Sequence, residues 1–343
     1  MLPCTSAERG YVNIHYQQVI DLGSSVISSD ITYASKSDAN IPRNIRRLPV
    51  LSGRTLGLAR CCCSVFVKKV DDVRLCLVLV DPPTNHVVGR RKYGLNTTYP
   101  ATRLHGGIED SIVSELHKDV LGQIDSSSLL SCLTHHFEVN PSQLNLNSPS
   151  ILSLAYYPVR IILGEWNLYS HLISRYFKYY EYSMNDIAHR LHNDDIIDLQ
   201  RWRRRSKQSQ HKLIALAEFI DYWLDQEPDQ KEWKLVIKDI RYMQRQLELY
   251  SQSFDQIVTV ATSMIQILDS RRSIREAINA KRLTYIALVF VPLSWVASLF
   301  SMGGDFLPGK GLFWVYFVVG LPLVAVVLLI SVYPFHDTTR FLN

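Results

Sequence analysis

Thr284-Tyr-Ile-Ala-Leu-Val-Phe-Val-Pro-Leu-Ser-Trp-Val-Ala-Ser-Leu-Phe300 carries no charged residue and stands at the end of a long, charged, helix-periodic segment. A second uncharged run, Leu312 to Tyr333, follows after the connector Ser301-Met-Gly-Gly-Asp-Phe-Leu-Pro-Gly-Lys-Gly311. At about 1.5 Å per residue the two runs reach about 25 to 33 Å, the thickness of a bilayer core. A buried soluble helix is the competing reading of the first run. Against it stand the charge-free second run, the belt-forming Trp314 and Tyr316, and Pro292 and Pro322, which lipid-embedded helices tolerate better than soluble ones. The expectation is a C-terminal two-helix transmembrane hairpin.

Working outward, Arg271, Arg272, Arg275, Lys281 and Arg282 crowd the approach to the first run, whereas the connector carries one Asp305 and one Lys310. Basic residues stay on the cytoplasmic side, so both termini are expected in the cytosol, in the plasma membrane, with His336 and Arg340 in agreement. Upstream, Val236, Ile240, Met243, Leu247, Tyr250, Phe254, Ile257, Ala261, Met264 and Leu268 alternate steps of four and three, a heptad seam that calls for a partner helix. Neither glycine nor proline interrupts the chain between Asp229 and Val291, so one helix can run from Asp229 to Phe300, about 105 to 110 Å. A second stripe at another phase, Ala277, Ala280, Thr284, Ala287, Val291, Ser294, Ser298 and Ser301, is small and weakly polar. Such a stripe permits close helix packing or, in several copies about an axis, a lumen lined by hydroxyls and carbonyls.

The 343 residues leave about 300 outside lipid, and the net charge of +5 comes from intermixed acids and bases. No basic face is isolated, so no nucleic-acid partner is expected. Residues 1 to 20 contain no apolar leader, and Cys61-Cys-Cys63 with single Cys4, Cys76 and Cys132 form no disulfide or zinc spacing, so the cysteines read as reduced cytosolic thiols. The Asn96-Thr-Thr98 sequon has no consequence on a cytosolic domain.

Residues 1–58 lack sustained periodicity and read as a loosely ordered arm. Arg60 to Val67 and Val73 to Val80 read as two strands, the second apolar enough to be central in a sheet and ended by Asp81-Pro-Pro83. Helices are expected at Asp110 to Leu121 and Ser127 to His136, completing an α/β domain over 59–155. A helical hairpin follows over 156–228, broken at Asn193-Asp-Asp195 and closed by Glu227-Pro228. Its Arg201-Trp-Arg-Arg-Arg205 run reads as a solvated face or an inter-subunit ridge rather than a lipid or RNA patch. His105 and the His135-His136 pair lack ligand partners at metal spacing and read as surface or core residues. No nucleophile elbow, phosphate loop or carboxylate pair occurs, so the chain does not read as an enzyme and needs no organic cofactor.

Lys281-Arg-Leu-Thr284, Phe290-Val-Pro-Leu-Ser294, the Ser301-Met302-Gly303 end of the first run and the second run close behind resemble the CorA-type magnesium transporter superfamily, and within it the fungal CorA-like proteins. The resemblance covers about residues 230 to 335. It implies an α+β cytosolic domain, a stalk helix over 229–301 continuing as the first span at 284–301, an outer loop at 302–311, a second span at 312–333 and a cytosolic tail at 334–343. It further implies a homopentamer in the lipid bilayer that passes Mg2+, with Ala280, Leu283, Ala287, Val291, Ser294 and Ser298 facing the pore and Leu283 near a hydrophobic gate. The family signature at the mouth is Gly-Met-Asn, whose asparagine ring holds a hydrated cation; here the positions read Ser301, Met302 and Gly303. Backbone carbonyls or a ring of Asp305 would have to substitute. Asp239, Asp255 and Asp269 on the stalk are the candidates for regulatory metal sites between subunits. The alternatives are a non-conducting divergent subunit and a membrane-tethered scaffold.

Overall fold

The computed structural model describes residues 8–23, 32–36, 43–71, 73–84, 86–90, 97–104, 128–139, 149–184, 193–227, 231–301 and 311–332. The chain divides into two compact units, Met1–Ala261 and Thr262–Asn343. In the first unit eight antiparallel strands come before the helices: β1 (Tyr11–Asp21), β2 (Thr32–Lys36), β3 (Arg43–Arg47), β4 (Leu56–Val70), β5 (Val73–Val80), β6 (His86–Arg90), β7 (Thr97–Pro100) and β8 (Thr102–Arg103). Their order is β7-β6-β2-β3-β4-β1-β8, with β5 also on β4.

β4 is the spine of this sheet. One edge pairs with β1 along its length, from Tyr11↔Phe66 to Asp21↔Leu56. The other edge is shared, β3 taking Gly57 to Ala59 and β5 taking Cys63 to Val70. Residues directly opposite share a face, so Tyr16 with Cys61, Ile14 with Cys63 and Val12 with Val65 form the buried face, all with exposures of 6% or less. Asn13, His15 and Gln17 stand on the other face.

Two expectations are corrected here. Within residues 1–58, expected as a loose arm, the described segments β1, β2 and β3 all lie in the sheet. The period-two signal Val12, Ile14, Tyr16 was present in the sequence, but polar neighbours and Gln18, which accepts a bond from the buried Cys61 thiol at 3.8 Å, hide it. β5 is not central either. Among the described residues it pairs with β4 alone, and Val73, Leu75, Leu77 and Leu79 are exposed.

Beyond β5, Asp81 receives the Cys62 amide at 2.8 Å and pairs with Arg43 at 3.2 Å, while Arg43 also donates to the Pro82 carbonyl at 2.6 Å. This one guanidinium therefore ties β3 to the exit of β5. Cys61, Cys62, Cys63, Cys76 and Cys132 are not in disulfides.

Helices close the first unit: α1 (Leu129–Val139), α2 (Ile151–Met184), α3 (Asn193–Gln226) and the start of α4 (Trp233–Ser301). The helix expected at 110–121 lies outside the described residues. In α1, His136 is buried and stacks on Tyr157 at 5.1 Å, a core histidine as read. α2 starts where Ser150 and Ser153 exchange side chain-to-amide bonds of 3.1 Å, a reciprocal N-terminal cap. Its Trp166, Tyr169, Ile173, Tyr176 and Tyr180 recur every three or four residues and are all at most 2% exposed. The Tyr176 hydroxyl donates to the Pro49 carbonyl at 2.6 Å, tying the helix to the turn after β3.

The heptad seam of α4 meets its partner in the same chain. Phe254 packs against Phe177 of α2 at 5.6 Å and Trp202 of α3 at 6.5 Å, and Trp233 meets Tyr156 at 5.6 Å. Val236, Ile240, Met243, Leu247, Phe254 and Ala261 are all buried, whereas Met264 and Leu268, further along the same seam, are 38% and 40% exposed. One sequence pattern thus serves two environments.

In the second unit the remainder of α4 pairs with α5 (Trp314–Val332). Gly320 faces α4: a Cβ there would meet Leu293 Cδ2 at 3.5 Å. Val296 is 1% exposed, and Leu288, Val289, Pro292 and Leu293 are half-buried on the same side of the helix.

Candidate functional site

The small-residue stripe lies on the free side of α4. At 3.6 residues per turn, Ala280, Leu283, Ala287, Val291, Ser294, Ser298 and Ser301 centre about half a turn away from the Leu288, Pro292 and Val296 side that α5 covers. All seven are exposed in the single chain, Leu283 and Val291 at 71% and 64%. Ala287 and Val291 sit at the flank of the stripe, where with Pro292, Trp295, Leu323 and Val327 they line an apolar hollow of about 550 Å³.

Two hydroxyls in this region, those of Thr284 and Ser294, are turned back on their own helix. Ser294 Oγ donates to the Val291 carbonyl at 2.8 Å and Thr284 Oγ1 to the Ala280 carbonyl at 2.9 Å. A hydroxyl has one proton and two lone pairs, so with the proton committed each oxygen is left as an acceptor. These two oxygens can receive hydrogen bonds from water around a cation.

Ser301 ends α4 and is exposed; Met302, Gly303, Asp305 and Lys310 lie outside the described residues. The three stalk aspartates occupy separate places. Asp239 lines a cavity of about 760 Å³ between α2 and α4, beside Glu232, Arg160 and Asn167. Asp255 is ion-paired with Arg203 and, at 3.7 Å, with Lys207, both on α3. Asp269 is exposed on α4. The chain by itself brings no two of the three together, and among the described residues no group of three metal-ligating side chains occurs.

Sequence reasoning missed the role of Asp255, because the pairing joins residues about fifty positions apart. It also read Arg201 to Arg205 as one face, whereas the structure divides it. Arg201 pairs with Asp198 at 2.8 Å, Trp202 is fully buried, Arg203 goes to Asp255, and Arg205 lies over the Trp202 ring at 5.1 Å.

Among the described residues one helix, α4, is long and apolar enough to cross a membrane, and Trp314–Leu329 is a shorter apolar helix. No curated protein matches the sequence. Among solved structures, the complete structure of CorA magnesium transporter from Methanocaldococcus jannaschii is similar over 89% of this chain and 79% of that one, at 12% identity and a TM-score of 0.33. The model of the family described as CorA-like Mg2+ transporter protein matches residues 154–336, more than half of the chain and the part that holds α2, α3, α4 and α5. That is a family of transporters and not of enzymes, and the chain belongs to it.

Proposed function

We propose that the protein is a homopentameric channel that passes a divalent cation, Mg2+ first, along a pore lined by the free face of α4. The observation that carries this reading is the opposition on one helix: α5 covers one side, and away from it runs an exposed, uncharged stripe with the small residues Ala280, Ala287, Ser294 and Ser298, in which the Ser294 proton is committed inward. Mg2+ demands octahedral coordination and sheds water reluctantly, so a lumen that accepts hydrogen bonds from its water shell suits it. Ala280, Ala287, Val291, Ser294 and Ser298 would line that lumen. Leu283, with nothing covering its side chain, would form the hydrophobic constriction that gates by dewetting.

In this reading residues 59–228 belong to the cytosolic part, 229–301 form the stalk and first span, 302–311 the outer loop, 312–333 the second span and 334–343 a cytosolic tail. Both termini face the cytosol, in the plasma membrane. Ser301, Met302 and Gly303 form the mouth, with backbone carbonyls or a ring of Asp305 in the place of the family's asparagine. Asp239 and Asp269 remain the candidate regulatory ligands between copies; Asp255 is already held by two cations.

The test is ion flux into liposomes containing the purified protein, with Mg2+, Ni2+ and Co2+ in separate runs, beside a Ser301→Gly, Gly303→Asn double variant. Wild-type Mg2+ flux supports the reading and directs attention to Asp305. Flux only in the double variant means an intact pore with a mouth unsuited to Mg2+, and makes a regulatory subunit the better description. No flux from either variant as assembled pentamers sinks the proposal.

A further inference from the structure

Away from α4 and α5, four cations converge on one cavity of about 360 Å³ in the first unit: Arg46 from β3, Arg60 from β4, and Arg205 and Lys212 from α3. His211 and the 2% exposed Leu58 also line it, and among the described residues no carboxylate lines the space. Asp198, whose charge acts on Arg205, is already engaged by Arg201 at 2.8 Å. Among the described residues none of the four cations is ion-paired to a carboxylate.

A solvated basic face would leave such side chains extended in water, each free to move away from the others. Here Arg205 and Lys212 are drawn in and only partly exposed. Arg205 lies over the Trp202 ring, and its Nε is buried without a hydrogen-bond partner. Burial is the main cause lowering the pKa of both groups; among charges, Arg46 then works against Arg205 and Arg60 against Lys212. Like charges are thus held together with partial loss of solvent, a repulsion that a multiply charged anion would relieve.

We propose that this cavity binds a small phosphate-bearing anion, with Arg46, Arg60, Arg205 and Lys212 as its ligands. Guanidinium forks match phosphate oxygens two at a time, and the lysine adds a point charge. Three guanidinium groups and one ammonium suit a chain of two or three phosphates, either inorganic or the tail of a nucleotide. Because β3, β4 and α3 each supply a ligand, occupancy would clamp the sheet to the helical layer. This site is independent of whether α4 lines a pore.

The test uses the full-length protein in detergent at low salt, with EDTA present so that no divalent metal mediates binding. Calorimetric titrations compare inorganic triphosphate, ATP and adenosine, for wild type, Arg60→Glu and Lys212→Gln. Arg60 is exposed and unpaired, so Arg60→Glu is expected to fold and melt no lower than wild type. The proposal expects saturable binding of about one triphosphate per chain, no binding of adenosine, and a loss of about tenfold or more in either variant. Tighter binding of ATP than of triphosphate assigns the site to a nucleotide; equal binding assigns it to the phosphate chain alone. Absence of saturable binding to wild type overturns the proposal. So does binding unchanged in well-folded Arg60→Glu. If triphosphate fails to bind and Arg60→Glu breaks the oligomer, the cations serve an acidic face of a neighbouring copy, and the proposal is again overturned.

Discussion

Phe254→Ala and Leu268→Ala remove apolar side chains from the same heptad seam and should behave differently. Phe254 is fully buried, with its ring against Phe177 and Trp202 from two other helices. Its truncation leaves a cavity that these large rings, themselves fixed by Tyr176 and Tyr250, can fill only in part. Phe-to-Ala changes at such sites cost about 3 to 5 kcal/mol, which for a unit of this size lowers the melting temperature by about 6 to 20 °C. Leu268 is 40% exposed in the single chain, so its loss should cost the fold about 1 kcal/mol or less. If it packs on a neighbouring copy, the loss appears instead as a weakened oligomer. The assay is thermal melting by near-ultraviolet circular dichroism together with mass determination by light scattering, in one detergent. Equal melting shifts in the two variants, or an oligomer defect from Phe254→Ala without a melting shift, would refute the division of the seam at Ala261.

Four further outcomes follow from the geometry. At Gly320 a methyl group meets Leu293 at an ordinary 3.5 Å, so Gly320→Ala should melt like wild type, whereas Gly320→Leu should force α5 away from α4 and cost about 1 to 3 kcal/mol, read as a lower melting temperature in liposomes. Burial raises the thiol pKa of Cys61 to about 11 and of Cys63 to about 12. The unfolded thiols therefore ionise first, and stability present at neutral pH should fall as pH climbs from 9.0, the ordinary thiol value, to about 12; burial of Tyr169, Tyr176 and Tyr180 acts in the same direction. At pH 7.5, mass spectrometry after iodoacetamide treatment should show Cys76 modified and Cys61 and Cys63 untouched. Asp255→Asn should lower stability by about 1 kcal/mol or less, since its ion pairs with Arg203 and Lys207 are a third to a half exposed. It should also leave the Mg2+ dependence of flux unchanged; a changed dependence would return Asp255 to the regulatory candidates.

The helical half was legible because its signals are local. Asn193-Asp-Asp195 starts α3 and Gln226 ends it just before Glu227-Pro228, and Ser127 to His136 is displaced by only two or three residues from α1. The second helix begins at Ile151 rather than near Tyr156 because the serine cap lies outside the tyrosine-rich run. The sheet was harder. β1 needs Cys61, Cys63 and Val65 across the strand to reveal its face, and β5 is apolar on a strand that one neighbour alone accompanies. At the candidate site the stripe follows from helix period, whereas its exposure depends on where α5 lies. The cation cavity was invisible because its ligands come from three segments, and Arg205 had been read with the neighbours it leaves.

The long strand β4 also sets an order for folding. Its connection to β5 is a two-residue turn from Val70 to Val73, in which Asp71 adopts a positive φ of 54°, a conformation that aspartate tolerates better than most residues. That hairpin closes a very short loop and can form in about 1 to 10 µs. β1, by contrast, must wait for a partner encoded tens of residues later, several seconds of synthesis at about 5 to 20 residues per second. During that interval the nascent β1 has both edges open and Val12, Ile14 and Tyr16 unburied. The strand that pairs along its whole length with the spine of the sheet is therefore one with a long exposure to wrong partners while the chain is being made.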